Sequence, residues 1–193
     1  HPTRPSEELK PKYLEKLPPG LRLNVTGGEP MLRKDIDEIF EVLYPKANLL
    51  ELSTNGYFTD KIVALAEKYP KILIRVSLEG LPSLNDNLRG LPNGFDHALR
   101  TILELKKTPC KNIGFSIVIC DKNSDDLVKL YELCAYLGVE LGNSVMHNSW
   151  YFHKFDNIDQ DREKAVSNEQ DFIKALLQSR RRGVKAKIKD YGR

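Results

Sequence analysis

Cysteine is scarce in this sequence: Cys110, Cys120 and Cys134 are the only three among 193 residues. Their spacing contains no Cys-x-x-Cys pair and no ferredoxin-like run. An odd number of cysteines without a pattern is typical of reduced thiols in a cytosolic protein. Cys120 and Cys134 stand in apolar segments, so we interpret both as small core residues.

Other features that would define a function class are also missing. No apolar run is long enough to cross a membrane, and no signal-peptide pattern is present. The formal charge of +3 is too small to indicate a nucleic-acid partner. The sequence has no P-loop, no Gly-x-Gly-x-x-Gly and no His-Glu-x-x-His, and His97, His147 and His153 have no metal-ligand spacing. We therefore expect a cytoplasmic protein that binds neither nucleic acid nor a membrane.

The length and the two ends of the chain bear on its domain organisation. A chain of 193 residues suits one domain and can bury a proper core. It begins at His1 instead of methionine and stops just after the basic run Arg180–Lys189, which we interpret as a solvated helix end. We expect residues 1–193 to be one domain that is cut at its N-terminus, with truncation at the C-terminus left open.

Strand and helix signals alternate along the chain. The predicted strands are Leu21–Thr26, Leu49–Ser53, Ile72–Leu78, Ile113–Cys120 and Val139–Val145. The predicted helices are Ser6–Leu17, Arg33–Tyr44, one capped by Thr59, Gly94–Lys107, one capped by Asn123 or Ser124, and Asn168–Arg181. This alternation predicts parallel strands with right-handed crossovers, in an open doubly wound sheet or in part of a barrel. Periodicity alone does not choose between the two.

Small or hydrogen-bonding residues follow every predicted strand. They are Gly27-Gly28-Glu29-Pro30, Ser53-Thr54-Asn55-Gly56, Ser77-Leu78-Glu79-Gly80, Asp121-Lys122-Asn123 and Ser144-Val145-Met146-His147-Asn148. In parallel βα architectures, ligands bind at these carboxyl ends. The segment Leu81–Asn93 is polar and rich in turn residues, so we expect it to cover the strand ends. The pattern predicts a pocket for a polar small ligand.

Several of these residues suit such a ligand individually. Gly27 and Gly28 let backbone groups approach closely, since glycine has no Cβ. Glu29 could accept hydrogen bonds from an ammonium group. Ser77 and Glu79 share one face of a strand, and a hydroxyl beside a carboxylate suits a ribose diol. Each motif alone is also an ordinary turn signal, so only their combination indicates a site.

The order of these motifs resembles that of the radical S-adenosylmethionine (radical SAM) superfamily. The matching segments are Leu23–Asp35 with Gly-Gly-Glu-Pro, Leu52–Gly56 with Thr-Asn-Gly, and Val76–Gly80 followed by Asn85-Asp86 and Leu88-Arg89-Gly90. The resemblance covers about Leu21 to Met146. The usual loop of the family has His-Asp where this chain has Asn85-Asp86, which is a mild departure.

The resemblance implies an α/β fold of the partial TIM-like (β/α)6 barrel type, with about five parallel strands present. Members of the family reduce a [4Fe–4S] cluster that chelates S-adenosylmethionine (SAM), and the resulting 5′-deoxyadenosyl radical abstracts hydrogen from a substrate. The Gly27–Pro30 segment would hold the methionine amino group. Ser77, Glu79 and Arg89 would contact the ribose or the carboxylate. Asn123 and the backbone at Met146 would lie near the ribose and adenine. The predicted cofactor-binding residues are Gly27, Gly28, Glu29, Pro30, Asn55, Ser77, Glu79, Arg89, Asn123 and Met146.

One element of the family pattern is not in the chain. The Cys-x-x-x-Cys-x-x-Cys loop that holds the cluster would come after a strand upstream of Ser6, so the chain has no cluster ligands. We expect the cluster in a longer parent enzyme and no activity from this chain alone. Two alternatives stay open: a cluster-less module that binds SAM or a nucleotide, and an unrelated βα enzyme with Glu29 or Glu79 as acid–base group.

The partners follow in part from the same reasoning. The substrate, a small molecule or a peptide, is not identified by the sequence. Without a preceding strand, Leu21–Thr26 would be an exposed apolar edge, which predicts a homodimer through that edge. The aromatic residues Trp150, Tyr151, Phe152 and Phe155 are interpreted as packing over the barrel mouth.

Overall fold

The computed structural model describes residues 8–146 and 161–181. Within these ranges all five strands lie in one parallel sheet, in the order of the sequence. The strands are β1 (Leu21–Val25), β2 (Ala47–Thr54), β3 (Leu73–Ser77), β4 (Asn112–Ile119) and β5 (Glu140–Val145). The sheet curls into a half-barrel, and the predicted partial TIM-like fold is confirmed. Every predicted strand boundary lies within two residues of the observed one.

Seven α-helices accompany the strands in the described residues. They are α1 (Pro11–Leu14), α2 (Ile36–Leu43), α3 (Thr59–Lys68), α4 (Pro82–Arg89), α5 (Gly94–Leu105), α6 (Leu127–Leu137) and α7 (Arg162–Arg181). Short 3-10 helices occur at Pro30–Leu32 and Ser124–Asp126. None of the helices in these ranges is long and apolar enough to cross a membrane.

Five helix predictions need correction. The helix predicted from Arg33 begins at Ile36. The helix predicted to be capped by Asn123 or Ser124 starts as a 3-10 helix and is α-helical only from Leu127. The first helix is a single turn that starts at Pro11, because Lys10 precedes a proline and is held in an extended conformation. Thr59 is the first residue of α3, not its cap. The last helix begins at Arg162, six residues before the predicted Asn168. The predicted start at Ser6, the residues His147 and His153, the aromatic cluster and the end of the basic run lie outside the described residues.

The apolar core lies between the sheet and the helices. Sequential parallel strands with right-handed crossovers place the connecting helices on one face of the sheet. Leu52, Ile74 and Phe115 of the strands are completely buried in one cluster with Ile39 and Ile62 of the helices. Because strand side chains alternate between faces, the residues between them point to the opposite, concave face.

The concave face is polar along the middle strands. Ser53 Oγ donates to Asn24 Oδ1 at 3.1 Å between β2 and β1. The Arg75 side chain on β3 is only 1% exposed and forms an ion pair with Glu140 on β5. Gly114 lies between them in the register, and a Cβ there would clash with the Glu140 backbone. The half-barrel therefore has an apolar convex side and a concave side lined by hydrogen-bonding groups.

Candidate functional site

The predicted cofactor residues follow the carboxyl ends of the strands, and these ends lie along one edge of the sheet because all five strands are parallel. We call this edge the rim. It comprises residues 26–30, 54–57, 77–80, 118–123 and 145–146. The fold thus brings together the motifs that stand far apart in the sequence. Their roles toward a cofactor stay predictions.

The two glycines after β1 form an open part of the rim. Gly27 and Gly28 are both exposed, and a Cβ built on either would have no atom within 4 Å. Gly27 has φ +149°, a backbone conformation that side-chain-bearing residues rarely adopt. A ligand can therefore approach the backbone here without a side chain in its way.

The carboxylate of Glu29 has a role that the sequence analysis did not predict. Its Oε1 accepts from the Met31 backbone N–H at 3.0 Å and from the Thr54 hydroxyl at 2.8 Å. Its Oε2 accepts from the Asn55 backbone N–H at 2.7 Å. These bonds cap the 3-10 helix that starts at Pro30 and join the loop after β1 to the end of β2. Glu29 is thus a clamp between two βα units, and any ligand ammonium would share it with three donors of the chain.

Asn55 and Gly56 form a tight turn after β2. Asn55 Oδ1 accepts from the Tyr57 backbone N–H at 2.9 Å, which is an Asx turn. Gly56 has φ +76° and is buried, and a Cβ there would lie 2.6 Å from Val76 Cγ1 and 3.1 Å from Ala98 Cα. Glycine is required at this position by the backbone conformation and by the space.

Buried hydroxyl groups support the same turn from below. The Thr101 hydroxyl on α5 donates to the Gly56 carbonyl at 2.6 Å and lies 2.7 Å from the Thr59 hydroxyl on α3. Both threonines are buried. This network was not predicted from the sequence, because Thr101 stands in an amphipathic helix and nothing distinguishes it there from an ordinary residue at the edge of the core. The network ties the turn to the two helices that flank it.

The charged part of the rim follows β3. Glu79 Oε2 accepts from the Val118 backbone N–H of β4 at 3.0 Å, and Glu79 Oε1 accepts from Arg89 Nη1 at 3.2 Å. The side chains of Glu79 and Arg89 are 17% and 22% exposed. Ser77, two residues before Glu79, is half-buried at the end of β3. The predicted carboxylate and guanidinium are therefore in contact on the rim, and the predicted hydroxyl stands two residues before that carboxylate in the chain.

Arg89 reaches the rim because the segment Leu81–Asn93 contains a helix. The prediction of a turn-rich segment here is wrong for Pro82–Arg89, which form α4. Two signals could have identified the helix: a proline at its first position, and Gly90 at its end with φ +60°. The Arg89–Glu79 contact brings this segment to the end of β3, and the expectation that it covers the strand ends stays a prediction.

Asn85 and Asp86 connect α4 to the rim and to α5. Asn85 Oδ1 accepts from the Glu79 backbone N–H at 2.9 Å, and Asn85 Nδ2 donates to Asp86 Oδ1 at 3.2 Å. Asp86 Oδ1 also accepts from the Phe95 backbone N–H in the first turn of α5 at 3.0 Å. This N–H bond, with help from Asn85, holds the pKa of Asp86 below its ordinary value. The pair thus links the start of α5 to the backbone of Glu79.

Arg33 and Asp35 fix the loop that leads away from the glycines. Arg33 Nε and Nη2 donate to the two carboxylate oxygens of Asp35 at 2.9 and 2.8 Å, and Nη2 also donates to the Leu9 carbonyl at 2.8 Å. The hydrogen bond from Arg33 lowers the pKa of the Asp35 carboxyl, and the same bond raises the pKa of Arg33. The segment before α1 is therefore attached to the loop that begins at Gly27.

The far side of the rim is formed by Asn123 and Met146. Asn123 is only 1% exposed, and its side chain holds the turn after β4: Oδ1 accepts from Cys120 N at 2.8 Å and Nδ2 donates to Val118 O at 2.9 Å. The Met146 backbone N–H donates to the Ile119 carbonyl at 2.9 Å. In this structure Asn123 shapes the loop through both polar atoms of its side chain, and its burial leaves little of that side chain open to a cofactor.

The cysteines do not fit an iron–sulfur cluster. Cys110, Cys120 and Cys134 are buried thiols in the core. Burial raises the pKa of Cys110 above its ordinary value and raises that of Cys134 to about 12, whereas a cluster needs thiolates. Among the described residues no group of three His, Cys, Asp or Glu side chains could hold a metal ion. The described residues of this chain therefore do not provide ligands for an iron–sulfur cluster.

A comparison with known protein families decides the ancestry of the chain. The family model of the radical SAM superfamily matches residues 6–134. The chain belongs to the radical SAM superfamily. This membership excludes the interpretation as an unrelated βα enzyme.

Individual radical SAM relatives are similar to parts of the chain. The Fe-coproporphyrin III synthase of Methanosarcina barkeri is 32% identical over 111 residues, which are 56% of this chain and 27% of that protein. The pre-heme d1 synthase of Dinoroseobacter shibae is 31% identical over 121 residues, 61% of this chain and 29% of that protein. The matched region thus spans less than a third of each relative.

Solved structures share the radical SAM fold at low sequence identity. Streptococcus suis SuiB bound to S-adenosylmethionine has a TM-score of 0.71 at 16% identity, over 88% of this chain and 39% of that chain. The structure of anSMEcpe with bound AdoMet and Cp18Cys peptide has a TM-score of 0.71 at 16% identity, over 92% of this chain and 52% of that chain. These similarities support the half-barrel fold.

Proposed function

We propose that this chain is the SAM-binding part of a radical SAM enzyme that works beside a [4Fe–4S] cluster held by cysteines outside the chain. The single observation that carries the proposal is the rim, where parallel strands deliver the motif residues of the family to one edge in the expected order. SAM supplies the radical chemistry when it is bound. The residues of this chain bind and orient it.

Different parts of the rim suit different parts of SAM. The open backbone at Gly27 and Gly28 suits the methionine amino group, and the clamp formed by Glu29 keeps that loop in place. Ser77 and Glu79 suit the ribose hydroxyls, since a hydroxyl and a carboxylate can both accept hydrogen bonds from a diol. The Arg89 guanidinium is close enough to Glu79 to hold the carboxylate in one orientation.

The remaining contacts are with the nucleoside. The backbone that pairs β5 with β4 near Met146 and the turn held by Asn123 form the side of the rim that would face the ribose and adenine. Asn55 supports the opposite side through its backbone bond to Glu29. The substrate, a small molecule or a peptide, would approach over the polar concave face.

A ligand titration tests whether the rim binds SAM. We expect SAM and 5′-methylthioadenosine to shift the backbone amide signals of the rim in proton–nitrogen NMR spectra of the isolated chain. Gly28→Val should weaken binding of SAM at least about tenfold, because it fills the open space at the backbone without steric conflict inside the fold. Lys34→Val, an exposed change on the next loop, is the matched control. No rim shifts at millimolar SAM would refute the proposal.

The coding sequence around the chain tests the role of the cluster. A Cys-x-x-x-Cys-x-x-Cys motif upstream of His1 would support the radical enzyme, and its absence there would contradict it. The buried cysteines favour one alternative, a module that binds SAM or a nucleotide without a cluster. Micromolar affinity for SAM without iron, together with no upstream motif, would support that module instead.

We also propose a cytoplasmic iron–sulfur oxidoreductase as the whole protein and a homodimer of this chain. The free thiols suit a reducing compartment. Within the described residues β1 pairs only with β2, so its other edge offers backbone groups to a second copy. Light scattering at high concentration should show a dimer, and a monomer would refute this assembly.

A further inference from the structure

The carboxylate proposed for the ribose belongs to a residue that has already left its strand. β3 ends at Ser77, and the last ladder bond on that side runs from the Leu78 N–H to the Ser116 carbonyl at 2.8 Å. The Glu79 N–H therefore lies beyond the ladder. The hydrogen bonds between strands no longer position the backbone of a residue beyond the end of the strand. Another group must therefore hold that backbone if the side chain is to keep one orientation.

Asn85 is the group that takes over from the strand. Its side-chain carbonyl accepts the Glu79 N–H at 2.9 Å, and Asn85 is completely buried at 0% exposure. The Glu79 carboxylate in turn accepts from the Val118 N–H of β4 at 3.0 Å, past the end of β3. The bond from Asn85 fixes the backbone of Glu79, and the bonds from Val118 and Arg89 fix its carboxylate.

Asn85 is itself oriented by a rigid element. Its Nδ2 donates to Asp86 Oδ1, which also accepts from the Phe95 N–H at the start of α5. A backbone N–H can only donate, so the side-chain oxygen of Asn85 must face the Glu79 N–H. The side-chain nitrogen of Asn85 then faces Asp86. The network thus runs without a break from the first turn of α5 to the rim.

We propose that Asn85 is a positioning residue for the nucleoside site, which sets Glu79 for the ribose hydroxyls without touching the ligand. This inference rests on the proposed binding of SAM at the rim. It predicts that a buried side chain on α4 controls affinity for the ribose part of SAM and leaves affinity for the methionine part unchanged. A merely structural role for Asn85 would affect both parts alike.

The test uses the isolated chain and three probes: SAM, 5′-methylthioadenosine and L-methionine. For Asn85→Ala we expect the dissociation constants of SAM and 5′-methylthioadenosine to rise about 5- to 10-fold, the usual effect of losing one buried hydrogen bond. The response to L-methionine should stay as in the wild type. Glu79→Ala should show the same selectivity, and the double variant should bind 5′-methylthioadenosine no more weakly than Glu79→Ala alone.

Asn87→Ala is the matched control, because Asn87 is exposed on the same helix. It should bind all three probes as the wild type does. If Asn85→Ala does not fold, Asn85→His replaces it: one ring nitrogen can accept from the Glu79 N–H while the other donates to Asp86, so 5′-methylthioadenosine should bind within about threefold of the wild type.

Three results would overturn the inference: an unchanged 5′-methylthioadenosine affinity in Asn85→Ala, an equal loss for L-methionine, or additive effects in the double variant. Failure of the wild-type chain to bind SAM would instead refute the proposed function, so the two failures are distinguishable.

Discussion

Replacing Gly56 by alanine tests the packing below the rim. Gly56 closes the turn that presents the Asn55 N–H to Glu29, and it combines a positive φ of +76° with complete enclosure. The added methyl carbon would lie 2.6 Å from Val76 Cγ1 and 3.1 Å from Ala98 Cα. Val76 is a β-branched strand residue and the Ala98 atom is backbone, so neither can move aside by a simple rotation.

The expected loss of stability has two parts. A left-handed conformation costs an alanine about 1–2 kcal/mol, partly offset by about 0.4–1 kcal/mol from the stiffer unfolded chain. Overpacking adds about 1–3 kcal/mol. Gly56→Ala should therefore lower the free energy of unfolding by about 1–4.5 kcal/mol. Gly138 has φ +69°, and a Cβ there would have no atom within 4 Å, so Gly138→Ala should cost only about 1 kcal/mol.

Urea unfolding followed by far-UV circular dichroism measures both variants. The two urea midpoints, analysed with a common slope, give the difference in free energy of unfolding between the variants. Because both glycines have similar φ angles, this difference isolates the steric contribution at Gly56. Equal losses in the two variants, within about 0.5 kcal/mol, would refute the steric argument. Binding of SAM should weaken in Gly56→Ala and not in Gly138→Ala.

Two further predictions concern titratable groups. The Phe95 N–H lowers the pKa of Asp86, so the stability this carboxylate contributes is present above its unfolded pKa of about 4 and is lost as the pH falls through the folded value. Asp86→Asn should reduce the fall of the urea midpoint at acidic pH. A pH profile equal to that of the wild type would show that the Asp86 carboxylate does not contribute this stability. Burial raises the pKa of Cys134 to about 12 and that of Cys110 above its ordinary value. Neither thiol should be alkylated at about pH 8 in the folded chain, whereas both should be alkylated in urea. Mass spectrometry measures the extent of alkylation. Equal alkylation rates in the two conditions would show that the thiols are accessible in the folded chain.

The strands and the rim could be predicted from the sequence because their signals are local. Short runs of β-branched and apolar residues bounded by glycine, proline and polar residues mark each strand, and parallel topology then places all carboxyl ends on one edge. The helix α4 was missed because its residues Pro82–Arg89 are mostly polar, so the helical spacing of Leu84 and Leu88 is only a short signal. Its end signals, a proline and a left-handed glycine, were interpreted as turns.

The roles of individual side chains depended on contacts that are distant in sequence. Glu29 accepts bonds from Thr54 and Asn55, and only the pairing of β1 with β2 brings these residues together. The ion pair between Arg75 and Glu140 similarly depends on the pairing of β3 and β5 with β4, where Gly114 lies between the two residues. Residue type and spacing predict that a carboxylate lies at the rim. They do not predict which N–H and O–H groups of the chain already donate hydrogen bonds to it.

The one-sided core has a consequence for how such a protein can diversify. The large apolar cluster lies between the sheet and its helices, so most of the hydrophobic free energy of folding does not depend on what lines the concave face. Substitutions at half-buried concave positions such as Ser53 or Ser116 therefore change the chemistry of that surface at a small cost in stability. A scaffold arranged in this way can acquire new substrates by evolution while the layer that keeps it folded stays the same.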